Sequence, residues 1–223
     1  MKEDVCAVLL EPIQGEGGIR PFSEEFLIQV RNLCDENESL LIFDEIQCGM
    51  GRTGKLFAYE WAQDVVPDIV TIAKALGGGL PIGATLLSGK LENTLSLGSH
   101  GSTFGGNPVC CAVANVVFKK ISSTDFLSVI RTKGEYLRAQ LTELNERMRF
   151  FEEIRGKGLM IGMQIHKQYG DIAAQVMQSC LQEGLLILQS GSNVVRLLPA
   201  LTISEDEIRS GIELLGKALK KHV

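Results

Sequence analysis

Two short apolar runs constrain this chain more than any other feature. Leu40–Phe43 and Ile69–Ala73 are too short for independent helices and have the length of buried parallel strands. Each run is followed by a charge, Asp44 after the first and Lys74 after the second. Open α/β sheets bind ligands beyond the carboxyl ends of their strands, so neighbouring runs would present a carboxylate and an amine to one crevice. A buried lysine with a lowered pKa is a Schiff-base nucleophile, and a facing carboxylate can keep a pyridinium nitrogen protonated. The bland reading of the lysine is a solvated surface charge. Lys74 departs from it by following a buried strand and preceding Gly77, Gly78 and Gly79, which permit close approach of a flat ring.

The preceding segment fits the same plan. Val5–Leu10 reads as a buried strand ending at Glu11, where Pro12 stops it. A glycine-rich loop, IQGEGGIRP, then carries Glu16. Ser23 is placed to cap a helix with Glu24 and Glu25 in its first turn, and Phe26, Val30, Leu33 and Cys34 share one face. Strand, helix and the run to Asp44 make a βαβ unit. Gln47, three residues beyond Asp44, puts an amide in the loop after the strand, where the bland reading is a solvated loop residue.

Downstream, Gly83–Ser88 reads as another strand. The loop Ser99–Pro108 is rich in hydroxyls and glycine, Ser102 and Thr103 among them, and suits phosphate oxygens. Asn107 and Pro108 form a cap and first turn. From about Phe118 the pattern becomes a long amphipathic one through Leu127, Ile130, Leu137, Leu141 and Leu144. Residues 1–118 are therefore expected to form part of a large domain, and 119–223 a small α+β domain. In the latter, Met160–Ile165 is a strand and Asp171 caps a helix that Gly184 ends. Leu185–Leu188 and Val194–Leu198 pair around SGSN. Ser204 and Glu207 box the last helix, with Ile208, Ile212, Leu215 and Leu219 facing inward.

Composition removes other classes. A net charge of −5 argues against nucleic acid as the main partner. No apolar run approaches a transmembrane span. The opening MKEDVCAVLL sets acids beside a short apolar run and makes a poor secretory signal. None of the six cysteines forms a C-x-x-C pair, so no metal site is expected, most read as small core residues, and a reduced, cytoplasmic setting follows. A rival reading comes from GMGRTGKL, Gly49–Leu56, which nearly spells a nucleotide-binding loop. Leu56 stands where a magnesium-holding hydroxyl is needed, the acidic strand precedes the loop, and the loop does not open an evident helix.

FDEIQCGMGRTG followed by IAKALGGGLPIGA resembles the centre of a class III aminotransferase, a pyridoxal-phosphate enzyme of the aspartate aminotransferase fold. EPIQGEGG, HGSTFGGNP and VVRLLPAL are also similar to family motifs and follow in the family's order. The resemblance spans nearly the whole chain and is strongest to the acetylornithine group.

It implies the C-terminal part of a fold type I large domain with a mostly parallel sheet, plus a small α+β domain. It further implies that Lys74 holds pyridoxal 5'-phosphate covalently, Asp44 pairs with the pyridine nitrogen, Gln47 reaches the phenolic oxygen, and Thr103, beside Ser102, reaches a phosphate bound mainly by a neighbouring subunit. A homodimer with shared sites follows. Glu16 would be a switch carboxylate and Arg196 the arginine for the α-carboxylate of glutamate or 2-oxoglutarate. The implied reaction moves the terminal amino group of N-acetylornithine to 2-oxoglutarate, as in arginine or lysine biosynthesis. Ornithine, succinylornithine and 4-aminobutyrate are the alternative donors. The family's S-G-T-E-A-N phosphate cradle, ring-stacking aromatic and a further substrate arginine belong to an N-terminal half that these residues do not match. The chain is thus expected to be a fragment, one half of a split enzyme or the product of an altered gene, and inactive in isolation; the competing reading is a non-catalytic complementing or interaction partner.

Overall fold

The computed structural model describes residues 4–223. Met1–Glu3, part of the opening read as a poor secretory signal, lie outside them. In chain order the elements are β1 (Ala7–Leu10), β2 (Ile13–Gln14), β3 (Arg20–Pro21), α1 (Glu24–Glu36), β4 (Leu40–Asp44), β5 (Ile69–Ile72), β6 (Ala84–Leu87), α2 (Pro108–Ile121), α3 (Thr124–Met148), β7 (Phe151–Lys157), β8 (Met160–Ile165), α4 (Ala173–Gln182), β9 (Leu188–Ser190), β10 (Val194–Leu197) and α5 (Glu205–Leu219).

The chain forms two compact units. The first comprises residues up to Pro12, Phe22–Gly51 and Lys55–Leu127; the second comprises Ile13–Pro21, Arg52–Gly54 and Ser128–Val223. The compact units thus divide after Leu127, beyond the boundary near residue 118 suggested by the sequence. Two short segments from the N-terminal part also belong with the second unit.

The first unit is built on a sheet of order β1-β4-β5-β6. β1, β4 and β5 run parallel and β6 antiparallel to β5. Alternation along β4 sends Leu41 and Phe43 into a core with Leu27 and Cys34 of α1 and Ala62 and Val65 beyond the strand. Ser23 caps α1 by accepting from the Phe26 N–H at 3.2 Å. Of the expected face Phe26–Val30–Leu33–Cys34, Cys34 is buried and Val30 packs against the core, and Leu27 and Arg31 complete the buried stripe. Phe26 and Leu33 are exposed, while Arg31 is buried with its guanidinium 3.0 Å from buried Asp68. Asp68 also accepts from the Leu41 N–H at 2.7 Å and pairs with Lys90, so its desolvation is offset and its pKa is lowered despite burial.

The opposite face of this sheet carries exposed apolar residues, with Leu9 64% accessible and Leu87 of β6, in the same cross-strand row, exposed as well; Leu86 is also exposed but lies in the row of Phe43 and Val70, on the core face. Gly78, left-handed at φ +55°, has no room for a side chain: a Cβ would lie 2.9 Å from Val117 Cγ2 of α2. This glycine serves helix packing, and the close approach it permits is to protein.

The second unit carries an antiparallel sheet, β7-β8-β10-β9, and the small hairpin β2-β3. The expected β8 span is found unchanged. The hairpin around SGSN starts later than expected, at Leu188. Asp171 does not cap α4; Asn193 does, accepting from the Ala173 N–H at 3.2 Å. A side chain distant in sequence replaces the adjacent one because the β9–β10 turn meets the helix start. The Ser204–Glu207 box opens α5, whose Ile208, Ile212, Leu215 and Leu219 are buried. Arg52 donates to the carbonyls of Pro199 at 2.5 Å and Leu159 at 3.4 Å, and burial pulls its pKa down to about 10.

Candidate active site

The first unit brings Asp44 and Lys74 to matching ends of neighbouring strands. β4 and β5 are in parallel register with Asp44 opposite Thr71. Asp44 is the last residue of β4, and Lys74 opens the turn that follows β5. Asp44 Oδ1 accepts from the Ile46 N–H at 3.0 Å and from the Thr71 hydroxyl at 3.2 Å. Both contacts land on one oxygen, which holds the carboxylate plane while Oδ2 keeps its lone pairs. Lys74 has φ +43°, an uncommon conformation outside glycine, and Gly78 closes its turn in the same region. The lysine is exposed among the described residues, so the burial supposed from sequence is not found here.

Gln47 lies in the turn leaving β4 and is half-buried. That turn has an anchor the sequence reading passed over. Glu45 is wholly inaccessible and accepts from the Ala58 and Tyr59 N–H groups, each at 2.8 Å. The Cys48 thiol approaches it at 3.4 Å. Burial dominates these bonds and pushes the Glu45 carboxyl up to about 7. Its carbonyl also accepts from the Gly49 N–H at 2.9 Å. The available signal was an acid between Asp44 and Gln47 with a glycine four residues on; its partners lie in a segment without periodicity.

The segment Gly49–Leu56 does not open an α-helix; the next element is a 3-10 turn, Ala58–Trp61. That removes the helix N-terminus a nucleotide-binding loop requires. Ser102 and Thr103 sit in an exposed loop, where the Ser102 hydroxyl accepts from the Gly105 N–H at 3.0 Å. Asn107 caps α2 by accepting from the Val109 and Cys110 N–H groups. Of the six free cysteines, Cys34, Cys48 and Cys180 are buried, Cys110 and Cys111 half-buried and Cys6 exposed.

The second unit joins Glu16 to Arg196. The guanidinium reaches Glu16 Oε1 at 2.5 Å. The arginine side chain is 7% accessible and the glutamate 73%. A fixed cation thus meets a carboxylate with room to leave, and the arginine fork suits a second carboxylate in its place.

A carboxylate at the end of β4, a primary amine just past β5 and an amide from the turn leaving β4 form a donor set suited to a ring with a basic nitrogen, a carbonyl and a phenolic oxygen. The residues therefore fit pyridoxal phosphate. This chain belongs to the class III aminotransferases: the family Aminotransferase class-III matches residues 1–219. That family depends on pyridoxal phosphate.

Within it, the chain is 48% identical over 221 residues to acetylornithine aminotransferase from Xylella fastidiosa, covering 99% of this chain and 54% of that protein. It is 47% identical over 219 residues to succinylornithine transaminase from Yersinia pseudotuberculosis, covering 98% of this chain and 53% of that protein. Among solved structures, N-acetylornithine aminotransferase from Stenotrophomonas maltophilia superimposes with a TM-score of 0.90 at 44% identity, over 98% of this chain and 57% of that one. Ornithine aminotransferase from Toxoplasma gondii does so with 0.89 at 32% identity, over 98% and 52%. The chain spans about half the length of the curated relatives it matches. No helix among the described residues is long and apolar enough to cross a membrane.

Proposed function

We propose that this chain carries the lysine-bearing part of a transaminase that moves the terminal amino group of N-acetylornithine to 2-oxoglutarate. The supporting observation is the pairing of Asp44 and Lys74 at the ends of β4 and β5. Lys74 would hold pyridoxal phosphate through its Nζ, and Asp44 would accept from the ring N–H. Gln47 would donate to the phenolic oxygen, and Ser102 and Thr103 to phosphate oxygens. When bound, the cofactor supplies an electron sink for the substrate carbon that loses its proton. Lys74 Nζ, once released, takes that proton and returns it. Asp44, whose carboxylate the Thr71 hydroxyl holds, would face the ring nitrogen.

Glu16 and Arg196 would act as a carboxylate switch. With the amino donor bound, Glu16 stays on Arg196 and masks its charge; with 2-oxoglutarate, Glu16 swings out and Arg196 takes the carboxylate. The names of similar proteins favour an acylated ornithine as donor, in arginine biosynthesis, with succinylornithine next and ornithine or 4-aminobutyrate behind. A homodimer with Thr103 serving the second subunit's site completes the reading.

In the assembled holoenzyme, borohydride reduction and peptide mapping should place the pyridoxyl group on Lys74, and kcat/KM should be higher for N-acetylornithine than for ornithine. Labelling of another lysine would end the assignment; a reversed preference would change the donor.

A further inference from the structure

The turn that carries Glu16 is held more firmly than a surface loop needs to be. It joins β2 to β3 and runs from Gly15 to Ile19. Buried Ser190, at the end of β9, bridges it: the hydroxyl donates to the Gly15 carbonyl at 2.6 Å and accepts from the Gly18 N–H at 2.9 Å. Next to it, the Gly191 N–H donates to the Glu16 carbonyl at 2.8 Å. From the other side, buried Arg155 donates through Nε and Nη2 to the Gly18 carbonyl and through Nε to that of Ile19. The arginine's own charge is met by Glu153 at 2.6 Å.

Ile19 makes the turn unusual. It is fully buried with φ +52°, a region that β-branched residues avoid. Its room comes from Gly162, where a Cβ would lie 2.7 Å from Ile19 Cβ. Gly162 in β8 pairs with Arg155 on one side and Arg196 on the other. Directly paired residues share a face of a sheet. One cross-strand row therefore contains the arginine that grips the turn's backbone, the gap that admits Ile19, and the arginine that grips the Glu16 side chain. Strained backbone persists where its surroundings over-determine it, and such positions cluster at ligand clamps and switches.

We propose that Arg155, Ser190 and left-handed Ile19 form a rigid mount that confines the switch to the side chain of Glu16. This rests on the reading of Glu16 and Arg196 as that switch. Arg155 and Ser190 are positioning residues: a fixed backbone returns the Glu16 carboxylate to Arg196 after each keto-acid turnover. Without the mount the mask over Arg196 is incomplete, so the donor half-reaction suffers, while 2-oxoglutarate, which displaces Glu16 anyway, is bound as before.

The test uses the assembled holoenzyme with Ser190→Ala and Arg155→Lys. In the cofactor-free protein, hydrogen exchange at the Gly18 and Gly191 amides should quicken by about tenfold or more in Ser190→Ala. The donor KM should rise about tenfold while that for 2-oxoglutarate stays within about twofold. Arg155→Lys, lacking the fork, should follow the same pattern. Unchanged exchange overturns the mount. Faster exchange with an unchanged KM ratio also overturns it, because the turn would then be loosened without consequence for the switch. Arg196→Ala separates this from failure of the underlying reading: equal losses in both half-reactions there remove the switch itself, and the mount with it.

Discussion

The Thr71 hydroxyl donates to Asp44 Oδ1 across the parallel pair β4–β5, at 3.2 Å. Because the same oxygen accepts the Ile46 N–H, the carboxylate is pinned from the strand beside it and the turn after it. Asp44→Asn keeps the shape and removes the charge. It should lower turnover of the assembled enzyme about 10²–10³-fold, the scale of losing one preorganised electrostatic contact. Thr71→Val should cost only about 1 kcal/mol of stability, the net worth of one hydrogen bond, and leave turnover within about tenfold. Steady-state kinetics and thermal melts decide both; equal turnover in Asp44→Asn and the parent would refute the role of Asp44.

Arg196 is buried and its partner Glu16 is not. Arg196→Ala should reduce the 2-oxoglutarate half-reaction by about 10²-fold, because a desolvated charge contact worth a few kcal/mol is lost, and the donor half-reaction far less. Single-turnover measurements of each half-reaction separate them. Arg196→Lys should recover little, since an ammonium cannot form the two-pronged contact.

Glu45 sets a pH dependence with a definite sign. Its folded pKa is raised from 4.5 to about 7, mainly by burial, so the folded state binds the proton more tightly. Its contribution to stability is fully present below about pH 4.5 and is lost as pH rises through 7, a change on the order of 3 kcal/mol. Glu45→Gln should flatten the difference between melting profiles at pH 5 and pH 8. An equal slope in parent and variant would place the titration elsewhere.

The first unit's sheet exposes apolar side chains on the face away from its core, Leu9 and Leu87 among them. Parallel sheets are ordinarily covered on both faces. The matched relatives carry nearly as much chain again. These 223 residues, expressed by themselves with pyridoxal phosphate, should self-associate and give no glutamate. Co-expressing the N-terminal half of a relative should improve solubility and cofactor binding together. Robust turnover by the 223 residues alone would show that the residues named here suffice.

Local signals carried much of the fold. The runs ending at Asp44 and Lys74 read as strands because a short continuous apolar stretch has few other uses, and they are strands. The box at Ser204–Glu207 and the inner face of α5 depend only on spacing along one helix, and both are found as read. Asp44, Lys74, Glu16 and Arg196 were singled out as residues, two of them through motifs whose partners stand far apart in sequence.

Tertiary structure decided what contacts across long separations control. Arg31 joined the buried stripe of α1 because Asp68 offers it a buried partner, and Asn193 replaced Asp171 as the cap of α4. Glu45 became a buried acid because two backbone amides beyond residue 57 close over it. Ser190 and Arg155 hold the Glu16 turn from more than a hundred residues away, so no local pattern reveals them. Sequence by itself determined the strands β4, β5 and β8 and the starts of α1 and α5, because periodicity and capping act within a few residues; β7 and the β2–β3 hairpin carry no such local signal. The pairing of Glu16 with Arg196, the burial of Glu45 and the strained fit of Ile19 against Gly162 were settled only by folding, because desolvation and steric exclusion depend on neighbours the chain brings together from afar.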